Sequence, residues 1–404
     1  MAEQILKNRL TRVAIKNFRS IAECDVALEP LTILVGPNGS GKSNFVGALR
    51  FLRDCLVGNV AMARAAWWRI GGAERSVNER KLAYPQVCVE GTIGESTRFA
   101  YGFRLAEGSL LGATVEWESC RILDQQGTEI STYERTVERI TRNGAANDVA
   151  IPKDGLLLKN LSGVPPFSDV YAILSRIWML SPQPVLLGSG NGNRSDVLDE
   201  DCKNLAEFLF VMQGRDEDRY SRMREFLTAA VPEISQLTAR QPAGLSALAG
   251  LGEFNVFATE RDESGGVVRE SHFDSLSGGA RTVIAVLTAV LLSDLSSYPP
   301  SIVILEEPEN GVHPAVAGVI WDALNEGATH AQIIATTHSP DLLDRKDIPE
   351  QSILAVEKIN GSSVVAPLSD HNIRTIRDRL MTPGELMRIG HLGPRRPVPV
   401  TTCD

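Results

Sequence analysis

At 404 residues the chain is long enough for two or three ordinary domains, or for one large α/β core carrying insertions. A composition of 43% hydrophobic and 23% charged residues is that of a globular protein and excludes a disorder-dominated chain. The formal net charge of −9 excludes attraction of nucleic acid to the whole surface and leaves only a local basic patch for that role.

The six cysteines, Cys24, Cys55, Cys88, Cys120, Cys202 and Cys403, include no C-x-x-C pair, which argues against a zinc knuckle or disulfide framework and fits a reducing cytoplasm. The opening MAEQILKNRL lacks the apolar stretch of a signal peptide. The most apolar run, Val283 to Leu292, is too short to span a bilayer and reads as a buried core helix, so no membrane association is expected.

In chain order, VAIKNFRS alternates as a strand, and LTILV at Leu31 to Val35 is a second, fully apolar one. A glycine-rich turn follows, and then Phe45, Val46, Leu49, Leu52 and Leu56 recur near helical spacing, giving strand, loop and helix. From about 60 to 180, β-prone pieces (QVCVEGTIG, RFAYGFRL, ATVEWESCRIL) separated by turn residues predict antiparallel strands inserted into or flanking the core. LLGSGNGNRSD at 186–196 is a loop, Cys202 to Val231 reads as two helices, and NVFATERDESGGVVRESHF as a hairpin turning at ESGG. The last third alternates SIVILEE (strand), PAVAGVIWDALNEG (helix), AQIIATT (strand), SPDLLD (short helix), QSILAVEK and SSVVAPL (strands), the pattern of a mostly parallel sheet. GPRRPVPVTTCD reads as a loose tail.

GPNGSGKS, Gly36 to Ser43, matches G-x-x-x-x-G-K-[ST] between a strand and a helix. Backbone N–H groups over Asn38, Gly39, Ser40, Gly41 and Lys42 would cradle phosphate at a helix N-terminus, with Gly36 and Pro37 opening the loop. Lys42 would reach the β- and γ-phosphates of ATP, and the Ser43 hydroxyl would ligate Mg²⁺. In SIVILEEPENGVHP an apolar strand ends in Glu306 and Glu307, at the edge where α/β sheets place ligands. Adjacent strand residues face opposite ways, so Glu306 is assigned to the Mg²⁺ side and Glu307 to the attacking water. QIIATTHSPDLL ends a further strand in Thr337, His338 and Ser339, where a histidine could contact a γ-phosphate.

SLSGGARTVIAV opens an apolar helix about twenty residues before the acidic strand. Read as a helix N-terminus, Leu276 is buried, Ser277 caps the helix, and Gly278 and Gly279 let backbone approach an anion. The arginines at 215, 219, 222 and 224 and at 374, 377 and 379 are the candidate basic patches; with acids interleaved in the first, both read as solvated helix faces.

A P-loop, a Ser-Gly-Gly signature, a strand ending in two acids and a strand ending in histidine, in this order, resemble the ATP-binding-cassette ATPases of the RecF/SMC/OLD type. IKNFRSI, ENGVHP and TTHSPDLL are similar to their small single-chain prokaryotic relatives, AAA-family ATPases found in anti-phage defence modules. The likeness covers residues 10–58 and 270–360, with 178–235 as a looser match. It implies an α/β P-loop NTPase of the ABC-ATPase head type: a mixed parallel sheet, a β-rich inserted region and a helical subdomain. The expected divisions are 1–58 and 271–392 for the two halves of the ATPase core, 59–178 for the insertion, 179–270 for the Q-loop-like segment, helices and hairpin, and 393–404 for the tail.

The resemblance further implies a head-to-tail homodimer sandwiching two ATP molecules, with Ser277, Gly278 and Gly279 of one chain facing the P-loop of the other. Glu306 would hold Mg²⁺ through water, Glu307 would be the general base, His338 the switch histidine, and Gln183 the Q-loop residue near nucleotide and Mg²⁺. Two positions depart from the pattern: Glu306 stands for the usual Asp and Ala280 for the usual Gln, and neither removes a catalytic group. No long heptad region is present, and the acids after His338 lack a Toprim-type nuclease spacing. The expected function is a Mg²⁺-dependent ATPase coupling nucleotide state to DNA or to a protein effector, such as a nuclease or toxin, in phage defence. A RecF-like repair clamp and a slowly hydrolysing nucleotide-gated scaffold stand as alternatives.

Overall fold

The computed structural model describes residues 8–71, 85–106, 114–146, 153–187, 193–241, 254–261 and 266–396. The first part of the MAEQILKNRL opening, the middle of the 186–196 loop, most of the ESGG turn and the tail beyond 396 lie outside the described residues. In chain order the strands are β1 Arg9–Phe18, β2 Ile21–Ala27, β3 Leu31–Val35, β4 Gln86–Ile93, β5 Thr97–Ala106, β6 Thr114–Leu123, β7 Glu129–Thr136, β8 Ile140–Arg142, β9 Ala145–Ala146 and β10 Ile177–Leu180. They continue with β11 Ile234–Arg240, β12 Asn255–Arg261, β13 Val267–His272, β14 Ile302–Glu306, β15 Gln332–Thr337, β16 Ile353–Ile359 and β17 Ser362–Pro367.

Contacts divide the chain into two compact units. The first comprises Met1–Ile177, Pro349–Met381 and Ile389–Asp404. Its larger sheet has the order β2-β1-β4-β5-β6-β7-β8-β9 with every adjacent pair antiparallel, so the β-prone pieces of the insertion extend directly from the N-terminal strand. Alternation drives this arrangement: Val13 and Ile15 of β1 and Val87 and Val89 of β4 are buried, while Arg12 on the opposite face pairs with Asp25 and Glu90. β3 is buried on both faces and pairs in parallel with β16, which pairs antiparallel with β17, so the sheet is mixed as expected. Helix Lys42–Val57 follows β3 and buries Phe45, Val46, Leu49, Leu52 and Leu56, each contributing about 1.5–3 kcal/mol by burial. Helices Val60–Gly71 and Phe167–Ser175 and strand β2 are elements that the sequence patterns left unassigned.

Glu118 of β6 is fully buried in this unit. Its carboxylate accepts from Tyr133 Oη at 2.8 Å, Tyr101 Oη at 3.1 Å, and the backbone N–H groups of Leu157 at 2.6 Å and Leu158 at 3.0 Å. It therefore fastens the turn Leu157–Asn160 to the sheet, and Lys159 within that turn donates to the Val57 carbonyl at 2.8 Å and to that of Gly58 at the end of the P-loop helix. Burial raises the Glu118 carboxyl against the lowering effect of those hydrogen bonds and of Arg135.

The second unit comprises Trp178–Ile348 and Thr382–Arg388. β14 and β15 pair in parallel, with Glu306 opposite Thr336 at their C-terminal ends, and β11-β12-β13 form a separate antiparallel sheet. Helices Leu205–Met212 and Glu217–Ala230 are the pair expected between 202 and 231. Helix Gly278–Leu292 is buried along almost its whole length. Together with the following turn, Gly278–Leu295 is long and apolar enough to cross a membrane by length and composition alone, but 72% of that stretch is buried within the protein, as in the core helix expected at Val283–Leu292.

The basic segment 215–224 is not a free patch. Arg215 pairs with Asp196, Arg219 with Asp294, Arg222 with Glu225 and Glu326, and Arg224 with Glu217. Arg215 and Arg219 are only partly exposed: Arg215 ties the turn between the two helices to Asp196 and Ser297, and Arg219 ties helix Glu217–Ala230 to Asp294, so their role is more structural than a solvated face implies. In the other segment Arg377 pairs with Glu350.

Candidate nucleotide site

Gly36 to Ser43 joins buried β3 to helix Lys42–Val57 in the first unit. Three glycines shape the loop for different reasons. A Cβ on Gly36 would lie 2.1 Å from the Val356 carbonyl oxygen, so only glycine fits against β16. Gly39 holds φ +76° with open space around it, and Gly41 holds φ +112° with its hydrogen facing Ser363 Oγ. Gly41 is the helix N-cap, gives no side-chain hydrogen bond to the first turn, and no acid stands in that turn. Helix starts ordinarily receive a side-chain acceptor. Here the positive helix end is left to the glycine loop, so the residues present fit a phosphate group. Pro37, Asn38, Gly39 and Ser43 are exposed at its rim, whereas Ser40 and Lys42 are buried. The Lys42 ammonium lies across the loop and donates to the carbonyls of Gly36 at 2.7 Å and Pro37 at 3.2 Å.

Behind the loop lies a polar network that no motif signalled. Ser363 Oγ donates to the Ser40 carbonyl at 2.6 Å, exchanges a 2.6 Å hydrogen bond with Ser20 Oγ, and its N–H donates to the Ser20 carbonyl at 2.7 Å. Asn44 of the P-loop helix donates to Ser20 Oγ at 2.5 Å and accepts from Arg19 at 3.3 Å. The β1–β2 turn and the β17 strand thereby fix the loop's far side.

In the second unit β14 ends at Glu306, and Glu307 leaves the strand in a left-handed conformation, φ +49°. Glu307 therefore lies outside the strand, and the strand alternation expected to separate the two carboxylates does not apply to it. The turn is held by the Glu307 N–H, which donates to the Thr336 carbonyl at 3.1 Å and Oγ1 at 3.3 Å. Across the parallel pair, His338 Nδ1 is 3.0 Å from Glu307 Oε1, with both side chains partly exposed. An imidazole in this contact can hold, donate or accept a proton at the carboxylate. Glu309 lies beside them: Thr337 Oγ1 donates to its Oε1 at 2.5 Å, its Oε2 is buried with no hydrogen-bond partner among the described residues, and burial raises its carboxyl above the ordinary range. Glu309 had only its place in EEPENG to mark it.

Ser277 caps helix Gly278–Leu292, its Oγ accepting from the Ala280 N–H at 3.2 Å. Leu276 is half-buried and not fully buried as expected, because it sits in the connection after a short 3-10 turn. Gly278 opens onto Pro184, and a Cβ on Gly279 would lie 2.7 Å from the Gly311 carbonyl oxygen. Gly279 thus allows the signature helix to pack onto the loop that follows Glu307. Gln183, just beyond β10, is exposed and its amide lies 3.5 Å from Ser181 Oγ. The structure therefore brings Glu306, Glu307 and His338 to adjacent strand ends, and gathers Gly36 to Ser43 in one loop of the other unit.

A buried strand, an uncapped glycine loop with a lysine across it, and a helix define a P-loop nucleotide-binding core. Residues 9–65 match the family described as "AAA ATPase domain", and residues 204–344 match "AAA domain, putative AbiEii toxin, Type IV TA system". Both matched segments support the resemblance to RecF/SMC/OLD-like AAA ATPases. The chain is 43% identical to the OLD nuclease of Thermus scotoductus over 51 residues, 13% of this chain and 9% of that one. It is 48% identical over 58 residues to the DNA replication and repair protein RecF of Vibrio vulnificus, covering 13% and 16%, and 40% identical over 100 residues to that of Erwinia tasmaniensis, covering 21% and 28%. The matched stretches thus span less than a third of each of these relatives. Among solved structures, an SMC head bound to the C-winged helix domain of ScpA has a TM-score of 0.49 at 15% identity, covering 91% of this chain and 99% of that one. The SMC head domain of Thermotoga maritima has 0.43 at 16%, covering 89% and 98%.

Proposed function

We propose that the protein is a Mg²⁺-dependent ATPase in which two chains enclose ATP head to tail. The observation that carries this reading is the 3.0 Å contact between Glu307 and His338 at adjacent strand ends, in a chain that also holds a complete P-loop. The Gly36–Ser43 loop binds the phosphates and Lys42 turns from its carbonyl partners toward the β- and γ-oxygens. By analogy with the family, Ser43, Glu306 and Gln183 are the residues that would hold Mg²⁺, which when bound would neutralise phosphate charge. Glu307 orients the attacking water and takes its proton, and His338 keeps that carboxylate in place and contacts the γ-phosphate. Ser277, Gly278 and Gly279 serve the nucleotide of the second chain, by analogy with the family.

The nucleotide-driven closure acts on DNA or on a protein effector, and a place in phage defence follows from the same analogy. The ion pairing of the 215–224 arginines favours a protein effector over DNA at that segment. A cytoplasmic setting is supported by the free state of Cys24, Cys55, Cys88, Cys120 and Cys202. The test is solution mass with Mg²⁺ and a slowly hydrolysed ATP analogue. Wild type doubles its mass and Ser277→Arg stays monomeric while still binding the analogue; a Ser277→Arg dimer refutes the trans arrangement.

A further inference from the structure

We propose that Glu309 is a positioning residue of the acid–histidine site, fixing the loop that carries His338 through the hydroxyl of Thr337. Its effect on turnover rests on the ATPase reading above; its effect on His338 does not. Thr337 is fully buried, and its hydroxyl has one proton and two lone pairs. The proton goes to Glu309 Oε1 at 2.5 Å, which leaves the oxygen to accept the Ser339 N–H at 2.9 Å. Residues 337 and 339 bracket His338, so this one hydroxyl clamps the backbone on both sides of the histidine whose Nδ1 lies 3.0 Å from Glu307. The other acceptor within reach of that proton is the Ser339 carbonyl at 3.4 Å, a poor one. Without Glu309 the hydroxyl turns toward it and the clamp is reorganised.

Glu309 Oε1 accepts the Thr337 proton, while Oε2 is buried without a hydrogen-bond partner among the described residues. An acid protonated on Oε2, or an amide, keeps the accepting oxygen. The bond thus requires an acceptor at this place and not a charge. Glu309 needs to touch neither nucleotide nor water to act.

The test follows the His338 ring resonance in histidine-labelled full-length protein, assigned with His338→Gln, and ATP turnover in parallel. Glu309→Ala and Thr337→Val should move the His338 signal to the same position, with no further movement in the double variant. Thr337→Ser, which keeps the hydroxyl, and Glu309→Gln should leave it in place. Turnover should fall roughly tenfold in the first pair with KM nearly unchanged, the pattern of a group acting after binding. An unmoved His338 signal in Glu309→Ala or Thr337→Val, or an equal movement in Thr337→Ser, overturns the proposal. A wild-type chain without turnover would overturn the ATPase reading alone, since the resonance needs no hydrolysis.

Discussion

Replacing Gly41 by alanine separates the geometry of this P-loop from a generic need for glycine. The added Cβ would sit 2.0 Å from Ser363 Oγ and 2.6 Å from Ser363 Cβ, at φ +112°. Left-handed backbone costs an L-residue about 1–2 kcal/mol. Displacing Ser363 breaks its 2.6 Å bonds to the Ser40 carbonyl and Ser20 Oγ, about 1 kcal/mol each. The total, about 3–4 kcal/mol, corresponds to roughly a 10²- to 10³-fold loss if it falls on phosphate binding. Gly39→Ala is the internal comparison: φ is +76° but nothing lies within 4 Å of the added carbon, so only the backbone term of about 1–2 kcal/mol applies, or roughly tenfold. Calorimetric titration with Mg²⁺–ATP, paired with thermal melts to catch any cost borne by the fold, should order the variants Gly41→Ala far below Gly39→Ala. Equal losses in both measurements would refute the Ser363 buttress.

Gly279→Ala places a carbon 2.7 Å from the Gly311 carbonyl and should lower the melting temperature, whereas Gly278→Ala, 3.8 Å from the nearest atom, should not. Glu118 has a raised native pKa, so the native state binds more protons than the unfolded one above the ordinary glutamate range. Its contribution is fully present below about pH 4.3 and is lost as pH rises through the native value. Glu118→Gln should therefore melt progressively closer to, or above, wild type as pH is raised, and a constant difference would contradict that assignment. Glu118→Ala should cost about 3 kcal/mol or more at every pH, read from denaturant midpoints, because two buried tyrosine hydroxyls and two N–H groups lose their acceptor.

The P-loop was legible because its chemistry is local: strand, glycines, lysine and helix follow one another within a single turn of chain. The positions of Glu306, Glu307 and His338 in the fold were legible for the same reason, each lying at or just beyond the end of an apolar strand. The orientation of Glu307 was not, since its left-handed turn depends on bonds to Thr336 in another strand. Ser363 and Ser20 lie 343 residues apart in sequence and meet through the β16–β17 hairpin, which no local pattern encodes. Glu118 shares the inward side of β6 with Cys120 and Ile122, so its burial was readable from parity, but its partners at 157 and 158 were not. Helix Val60–Gly71 was overlooked because its short, largely apolar stretch opens a territory of β-prone pieces.

ATP turnover of wild type against Glu307→Gln, at saturating Mg²⁺–ATP with binding measured on the same samples, bears most directly on the proposed hydrolysis. Glu307→Gln should bind ATP as wild type does and turn it over at least roughly 10²-fold more slowly, as expected on removing a general base. Equal rates would contradict that role.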